Sequence, residues 1–287
     1  MGQEKMLAIM GNSGSGKTTV SIKLACALAT KKKNVIVVFC DPFTPVIPAL
    51  LPPSVIHDIS LGALLTEPGL TQTNILNACV PSPSNEYISL LGYRMGENLL
   101  NYPKIIRDKA VELFVSLRYL ADYVIFDCST IFEADLASLV AVETADKVLK
   151  IWTANLKGMS YYQSHIPMLE DSCYRKGSHL TAIGNLKVGQ DWEAVSGQYG
   201  GVNYVLPYTA ELEQQDNEQT LFESMFSSES VPYQTEINRI LFDVFSFPVI
   251  QSKKLNKKTE SGYVSKEKKE KGKRNFKLPF ARNKGEF

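Results

Sequence analysis

Short, nearly unbroken apolar runs alternate along this chain with longer segments whose apolar residues recur every three or four positions. Met6–Met10, Val35–Cys40 and Tyr123–Phe126 are of the first kind. Runs that short and that uniformly apolar predict strands covered on both faces of a parallel sheet. Val20, Ile22, Leu24, Ala25 and Leu28 predict a helix running to about Thr30. Ile105, Ile106, Ala110, Val111, Leu113, Phe114 and Leu117 predict another over 103–120. Further helices are expected over 134–144, 159–171, 192–199, 211–227 and 233–245. Strands are expected over 87–91, 147–152, 180–186 and 202–206, the last ending at Pro207. Ser60 reads as the N-cap of a short helix to Thr66, while 42–57 and 67–86 read as largely irregular. Strands separated by helices of this length need crossover connections. The expected fold class is therefore α/β, a mostly parallel central sheet flanked by helices on both faces, forming one domain over 1–250.

The pattern stops at Ser252. Residues 252–287 hold 13 Lys/Arg against 4 Glu, a net +9, whereas the remainder holds 18 Lys/Arg against 26 Asp/Glu, a net −8. With almost no apolar residues between Lys253 and Arg274, the segment 251–287 is expected to be a disordered basic tail. Its last part, Arg274-Asn275-Phe276-Lys277-Leu278-Pro279-Phe280-Ala281-Arg282, interleaves bulky apolar groups with cations. That mixture suits an anionic membrane surface, a nucleic acid or an acidic protein, or simple solvation. No apolar run approaches the ~20 residues that cross a bilayer, and no signal-peptide pattern opens the chain, so a cytoplasmic protein is expected. Cys26, Cys40, Cys79, Cys128 and Cys173 are scattered without metal spacing and read as reduced thiols. His57, His165 and His179 are isolated from one another and read as structural or surface residues.

Candidate chemistry centres on Gly11-Asn12-Ser13-Gly14-Ser15-Gly16-Lys17-Thr18, which fits the G-x-x-x-x-G-K-[ST] phosphate-binding pattern. An apolar strand feeds the loop and a helix leaves it, so unpaired amides and the positive end of the helix dipole face one point. Glycines let such a backbone curl around phosphate oxygens without Cβ clashes. Lys17 is expected on the β- and γ-phosphates of a nucleotide and the Thr18 hydroxyl on Mg²⁺. Tyr123-Val124-Ile125-Phe126-Asp127 ends a buried strand in a carboxylate, the second part such a site needs to hold Mg²⁺. Asp41, between a buried strand and Pro42, lies at the carboxyl end of its strand. As a residue it reads either as a turn-former before proline or as a functional acid at the ligand edge, and its position favours the second.

These pieces together resemble the MinD/ParA family of P-loop ATPases over about residues 5–246. The resemblance is carried by G-N-S-G-S-G-K-T-T-V, V-F-C-D-P, Y-V-I-F-D-C-S-T, T-A-D-K-V-L-K-I, I-G-N-L-K and V-L-P-Y-T-A-E-L-E-Q-Q-D-N-E-Q. Within the family the chain looks most like the CpaE/TadZ branch tied to pilus assembly and polar placement. The resemblance implies that Gly11, Asn12, Ser13, Gly14, Ser15, Gly16, Lys17, Thr18 and Thr19 hold the phosphates of ATP. It implies that Asp41 is the switch I acid, near the metal and orienting the attacking water. Asp127 would be the acid beside Mg²⁺, and Asn185 and the backbone at Pro207 the adenine contacts. The family usually has a lysine after the first loop glycine, reaching across an ATP-dependent homodimer to the partner's phosphates. Here that residue is Asn12, uncharged and shorter, which implies slow hydrolysis.

Two functions of different class follow. The first is a slow ATPase used as a switch to position or regulate a larger assembly, of pilus or secretion type or of partitioning type, with peripheral contact at the inner face of the membrane. The second is a nucleotide-binding scaffold with little turnover, docked through its tail. A phosphoryl-transfer kinase would want a lid bearing arginines, yet 43–102 holds only Arg94. A DNA-partitioning ATPase would want a basic face on a body whose net charge is −8.

Overall fold

The computed structural model describes residues 4–52 and 60–247. The expected basic tail, 251–287, and part of the expected 42–57 loop lie outside the described residues. Eight strands form one sheet: β1 Met6–Gly11, β2 Val35–Phe39, β3 Val80–Ser82, β4 Asn85–Leu91, β5 Tyr123–Asp127, β6 Lys147–Trp152, β7 His179–Leu186 and β8 Tyr204–Pro207. Their order across the sheet is β3-β4-β2-β5-β1-β6-β7-β8. All neighbours are parallel except β3, a short antiparallel edge strand on β4 that carries Pro81. Proline at an edge leaves no ladder bond missing.

Every residue of β1, β2 and β5 is buried, and successive side chains point alternately into two cores on opposite faces of the sheet. Met6, Ala8 and Met10 of β1 face one core, with α3 Leu61–Thr66, α5 Arg107–Leu120 and α6 Leu136–Thr144. Leu7 and Ile9 face the other core, with α1 Lys17–Ala29, α2 Ile47–Leu50 and α10 Val231–Phe245. α4 Gln72–Ala78 and α7 Leu156–His165 join the first side, α9 Ala210–Asn217 joins the second, and α8 Trp192–Ser196 packs its Trp192 and Val195 on the first. The expected three-layer arrangement holds.

The differences from expectation have local causes. Residues 67–86 contain α4 and β3; α4 buries only Ile75 and Ala78, too few positions for a period to show, and Thr71 caps it by accepting from the Asn74 amide at 3.1 Å. The 103–120 helix begins at Arg107, leaving Ile106 64% exposed. The helix expected over 159–171 is α7 followed by a 3-10 segment beginning at Ile166-Pro167, since proline cannot continue an α-helix ladder. The helix expected over 211–227 stops at Asn217. Gln219 takes φ 59° there, and the chain turns back as the Thr220 amide donates to the Gln215 carbonyl at 2.8 Å.

β5 sits between β1 and β2, with Asp127 in register with Ile9 on one side and Phe39 on the other. That single strand therefore brings Gly11 and Asp41 to the same edge of the sheet. Leu113 on α5 is wholly buried while Val115 two residues later is 43% exposed. Leu113→Ala should cost about 2–5 kcal/mol and Val115→Ala under about 0.5 kcal/mol, read by urea denaturation of the full chain. Equal costs would place the core elsewhere.

Candidate functional site

The loop Gly11–Thr18 is seated against two strands at backbone contact. A Cβ on Gly11 would stand 1.9 Å from the Ile151 carbonyl oxygen of β6, and one on Gly184 of β7 would stand 2.1 Å from the Ser15 carbonyl oxygen. Both positions therefore need glycine for close approach. α1 leaves the loop at Gly16 with no side-chain cap and no acidic residue in its first turn. Its amide end is thus free of the local side-chain oxygens that cap α3, α4, α6, α7, α8 and α9.

Asn12 is turned inward and is only 6% exposed. Its amide donates to the Thr153 hydroxyl at 2.9 Å and to the Ser13 carbonyl at 2.9 Å, and its oxygen accepts from the Thr153 amide at 3.0 Å. Thr153 in turn donates to Asn155, the N-cap of α7, and accepts from the Tyr199 hydroxyl at 2.8 Å. The second residue of the loop is therefore a clamp between the loop and the end of β6.

Lys17 folds back over the loop, its ammonium donating to the Gly11 carbonyl at 3.0 Å, the Asn12 carbonyl at 3.3 Å and the Thr130 hydroxyl at 2.9 Å. Burial lowers its pKa, opposed by the nearby Asp127, Cys128 and Asp41. Thr18 donates to Asp127 at 2.6 Å, and Ser21 reaches the other carboxylate oxygen at 3.4 Å. Asp127 is 5% exposed; burial pushes its carboxyl up to about 6 although the Thr18 bond and Lys17 pull it down. Asp41 is not joined to this cluster by a hydrogen bond. One of its oxygens accepts from the Phe43 and Thr44 amides at 2.8 and 3.2 Å, an Asx turn, so it acts on Lys17 and Asp127 through space.

Beside the loop lies a cleft of about 260 Å³ bounded by Gly14, Gly16, Thr19, Asn185, Pro207 and Asp216, among others. Asn185, at φ 51°, donates to the Gly14 carbonyl at 3.0 Å, tying β7 to the loop. Tyr208 forms part of the wall, its hydroxyl on Glu213 at 2.5 Å and the Lys187 ammonium 5.3 Å from its ring centroid. The donors fit a nucleotide with Mg²⁺: the hard oxygens of Thr18 and Asp127 meet at one point beside a lysine. Among the described residues no group of three or more His, Cys, Asp or Glu could hold a metal unaided.

Sequence reasoning missed Thr130, Thr153, Lys187, Tyr208, Glu213 and Asp216, whose roles come from distant chain crossings or loop geometry. It also missed Asp135, which carried a local signal, an acid before the apolar run Leu136–Val142. Asp135 is 1% exposed and caps α6 by accepting from the Ala137 and Ser138 amides at 3.2 and 3.0 Å.

Residues 6–54 match the family described as the CobQ/CobB/MinD/ParA nucleotide binding domain. A MinD cell division protein from Aquifex aeolicus superposes with TM-score 0.62 at 16% identity, covering 85% of this chain and 98% of its own. A ParA family ATPase from Chlorobium tepidum gives 0.64 at 15%, covering 81% and 97%. The septum site-determining protein MinD from Pyrococcus horikoshii, complexed with Mg-ADP, gives 0.63 at 17%, covering 82% and 95%. This is a MinD/ParA-like fold. No curated protein is significantly similar to the chain in sequence. The MinD/ParA-like match over 6–54 spans Lys17, Thr18 and Asp41, while Asp127, Asn185 and Pro207 lie beyond it. All five cysteines are free, and no helix among the described residues is long and apolar enough to cross a membrane.

Burial raises the Asp135 carboxyl from its ordinary value of 3.8 to about 7, outweighing the Ser138 and Ala137 bonds. The folded protein thus holds this proton more tightly than the unfolded chain, so this group lowers stability progressively as pH rises from about 4 to about 7. Asp135→Asn keeps a capping oxygen and removes the titration. Its stability relative to wild type should rise by about 1–3 kcal/mol across that window, read by urea denaturation at several pH values. A difference that does not move with pH would mean that the carboxyl is charged throughout.

Proposed function

We propose that this protein is an ATP- and Mg²⁺-binding switch that hydrolyses ATP slowly and whose nucleotide state positions or regulates a larger assembly. The observation that carries the reading is the meeting of Lys17, Thr18 and Asp127 at the head of α1 beside the Asn185–Pro207 cleft. In this reading the amides of Gly11–Thr19 bind phosphate oxygens, and Lys17 exchanges its bonds to the Gly11 and Asn12 carbonyls for bonds to the β- and γ-phosphates. Thr18 and Asp127 are the residues that would hold Mg²⁺. Asp41 keeps one oxygen in its Asx turn and uses the other to orient the attacking water. Asn185 and the Pro207 backbone take the adenine. Mg²⁺ supplies neutralisation of the phosphate charge.

Lys17 also supports the switch. Its third bond goes to Thr130, whose carbonyl accepts from the Tyr161 hydroxyl of α7 at 2.5 Å. Withdrawal of the ammonium onto a phosphate frees the Thr130 hydroxyl, so occupancy is felt at 128–133. Slow turnover rests on Asn12, which is buried against Thr153 and offers no cation to a second subunit. The same observation favours a second reading, a nucleotide-held scaffold with little or no turnover. In either case an ATP-dependent homodimer, an assembly of pilus or secretion type, and docking of the 251–287 tail on anionic membrane, nucleic acid or an acidic protein belong to the proposal.

Turnover and molecular mass with Mg-ATP should be measured for wild type, Lys17→Ala and Asn12→Lys. Lys17→Ala should weaken ATP binding by about a hundredfold or more, in keeping with several lost phosphate bonds. Measurable turnover in wild type, lost in Lys17→Ala, supports the switch; tight binding without turnover supports the scaffold. Absence of ATP binding in wild type overturns both. Removal of residues 252–287 should abolish flotation with anionic liposomes if the tail docks on membrane. Loss of salt-sensitive DNA binding instead would assign it to nucleic acid.

A further inference from the structure

Lys23 lies on α1 outside the phosphate loop and is only 4% exposed. Its ammonium donates to Gln215 Oε1 at 2.6 Å, to the Leu221 carbonyl at 2.7 Å and to the Glu223 carbonyl at 2.7 Å. Three donors meet three acceptors, so the group is saturated. Burial lowers its pKa, and Cys26, Glu211 and Glu223 oppose this through space. A buried cation whose contacts are all neutral is expensive, and an apolar side chain would fill the space at less cost. What an apolar side chain could not do is gather these three acceptors, which belong to α9 and to the turn that follows it.

Those acceptors matter for where they stand. Gln215 is on α9, the helix whose Leu212, Glu213 and Asp216 line the cleft. Its amide nitrogen donates to the Ser224 carbonyl at 3.1 Å and its backbone carbonyl accepts from Thr220, so Gln215 holds the returning chain on both sides. On α1, Lys23 follows Thr19 and Val20 by one turn, on the same face, and those two residues line the opposite wall. Glu211 pins the start of α9 separately, accepting from the Phe226 and Ser227 amides at 2.7 and 3.1 Å. One ammonium thus spans the two walls of the cleft from behind. Neither the Asn12–Thr153 clamp nor the Thr18–Asp127 bond involves it.

We infer that Lys23 is a positioning residue for the nucleoside end of the cleft, fixing α9 against α1 at the separation that grips base and ribose while leaving the phosphate loop untouched. The inference rests on the nucleotide site proposed above. It predicts a selective effect: loss of affinity for a ligand that carries a nucleoside, without loss for one that carries phosphates alone.

The test compares Mg-ATP with inorganic tripolyphosphate and Mg²⁺, by calorimetric titration of wild type, Lys23→Met and Gln215→Leu. Lys23→Met should bind ATP about tenfold or more weakly, with tripolyphosphate within about twofold of wild type. Gln215→Leu, which removes one acceptor and keeps the ammonium on two carbonyls, should show the same selectivity to a smaller extent. Parallel losses for both ligands, or unchanged ATP affinity in both variants, would overturn the inference. If Lys23→Met does not fold, Gln215→Leu decides by the same criterion. A wild type that binds ATP no more tightly than tripolyphosphate would overturn the nucleoside cleft itself, an outcome visible before any variant is made.

Discussion

Backbone packed directly on backbone is the contact from which the site is built. With the Gly11 Cα against the Ile151 carbonyl and the Ser15 carbonyl against Gly184, the loop has no slack toward the sheet. Asn12 adds a lateral tie to Thr153, and Thr18 ties the head of α1 to Asp127. What remains is a half-buried lysine and a buried carboxylate, each displaced toward its neutral form by loss of water. The hydrogen-bond partners of both are neutral groups. An anion of several charges with a divalent cation would stabilise the charged form of both at once, and groups shifted in this way cluster at functional sites.

Electrostatics separates the two ends of the cleft. On the phosphate side the loop amides and Lys17 supply positive potential at the end of a helix that carries no acidic cap. On the other side Glu213 and Asp216 line the wall, with Lys187 over Tyr208 between them. A ligand with an anionic end and a polar, uncharged end is matched in sign along its length, so the cleft orients it as well as binds it.

The elements that were legible in the sequence are those whose residues act on near neighbours. The loop Gly11–Thr18, the strand Tyr123–Asp127 and the cap Ser60 carry their chemistry in consecutive residues. That the strands run mostly parallel followed, because crossovers force parallel pairing, though nothing local says that β5 lies between β1 and β2. Three kinds of feature were out of reach. α4 buries too little to show a period. Gln219 ends α9 through a positive φ that its residue type does not advertise. The inward turn of Asn12 depends on Thr153, and the burial of Lys23 on Gln215, Leu221 and Glu223; such partners lie far away in the chain and become visible only once the fold brings them together.

The strand order also constrains how the chain comes to be folded. β1 precedes the other strands of the sheet in the chain and ends up in its middle, yet the first of its neighbours to follow, β5, pairs Met6 with Val124. At a ribosomal rate of ~5–20 residues per second, the central strand waits on the order of ten seconds for anything to pair with. β2 and β4 can meet earlier, Val35 opposite Ile88, and α1 can cover one side of them. In the finished sheet β5 fills the place between β2 and β1, so both of its ladders pair it with strands made well before it. Pairing that distant closes slowly, so the ladder that completes the middle of the sheet is one of high sequence separation.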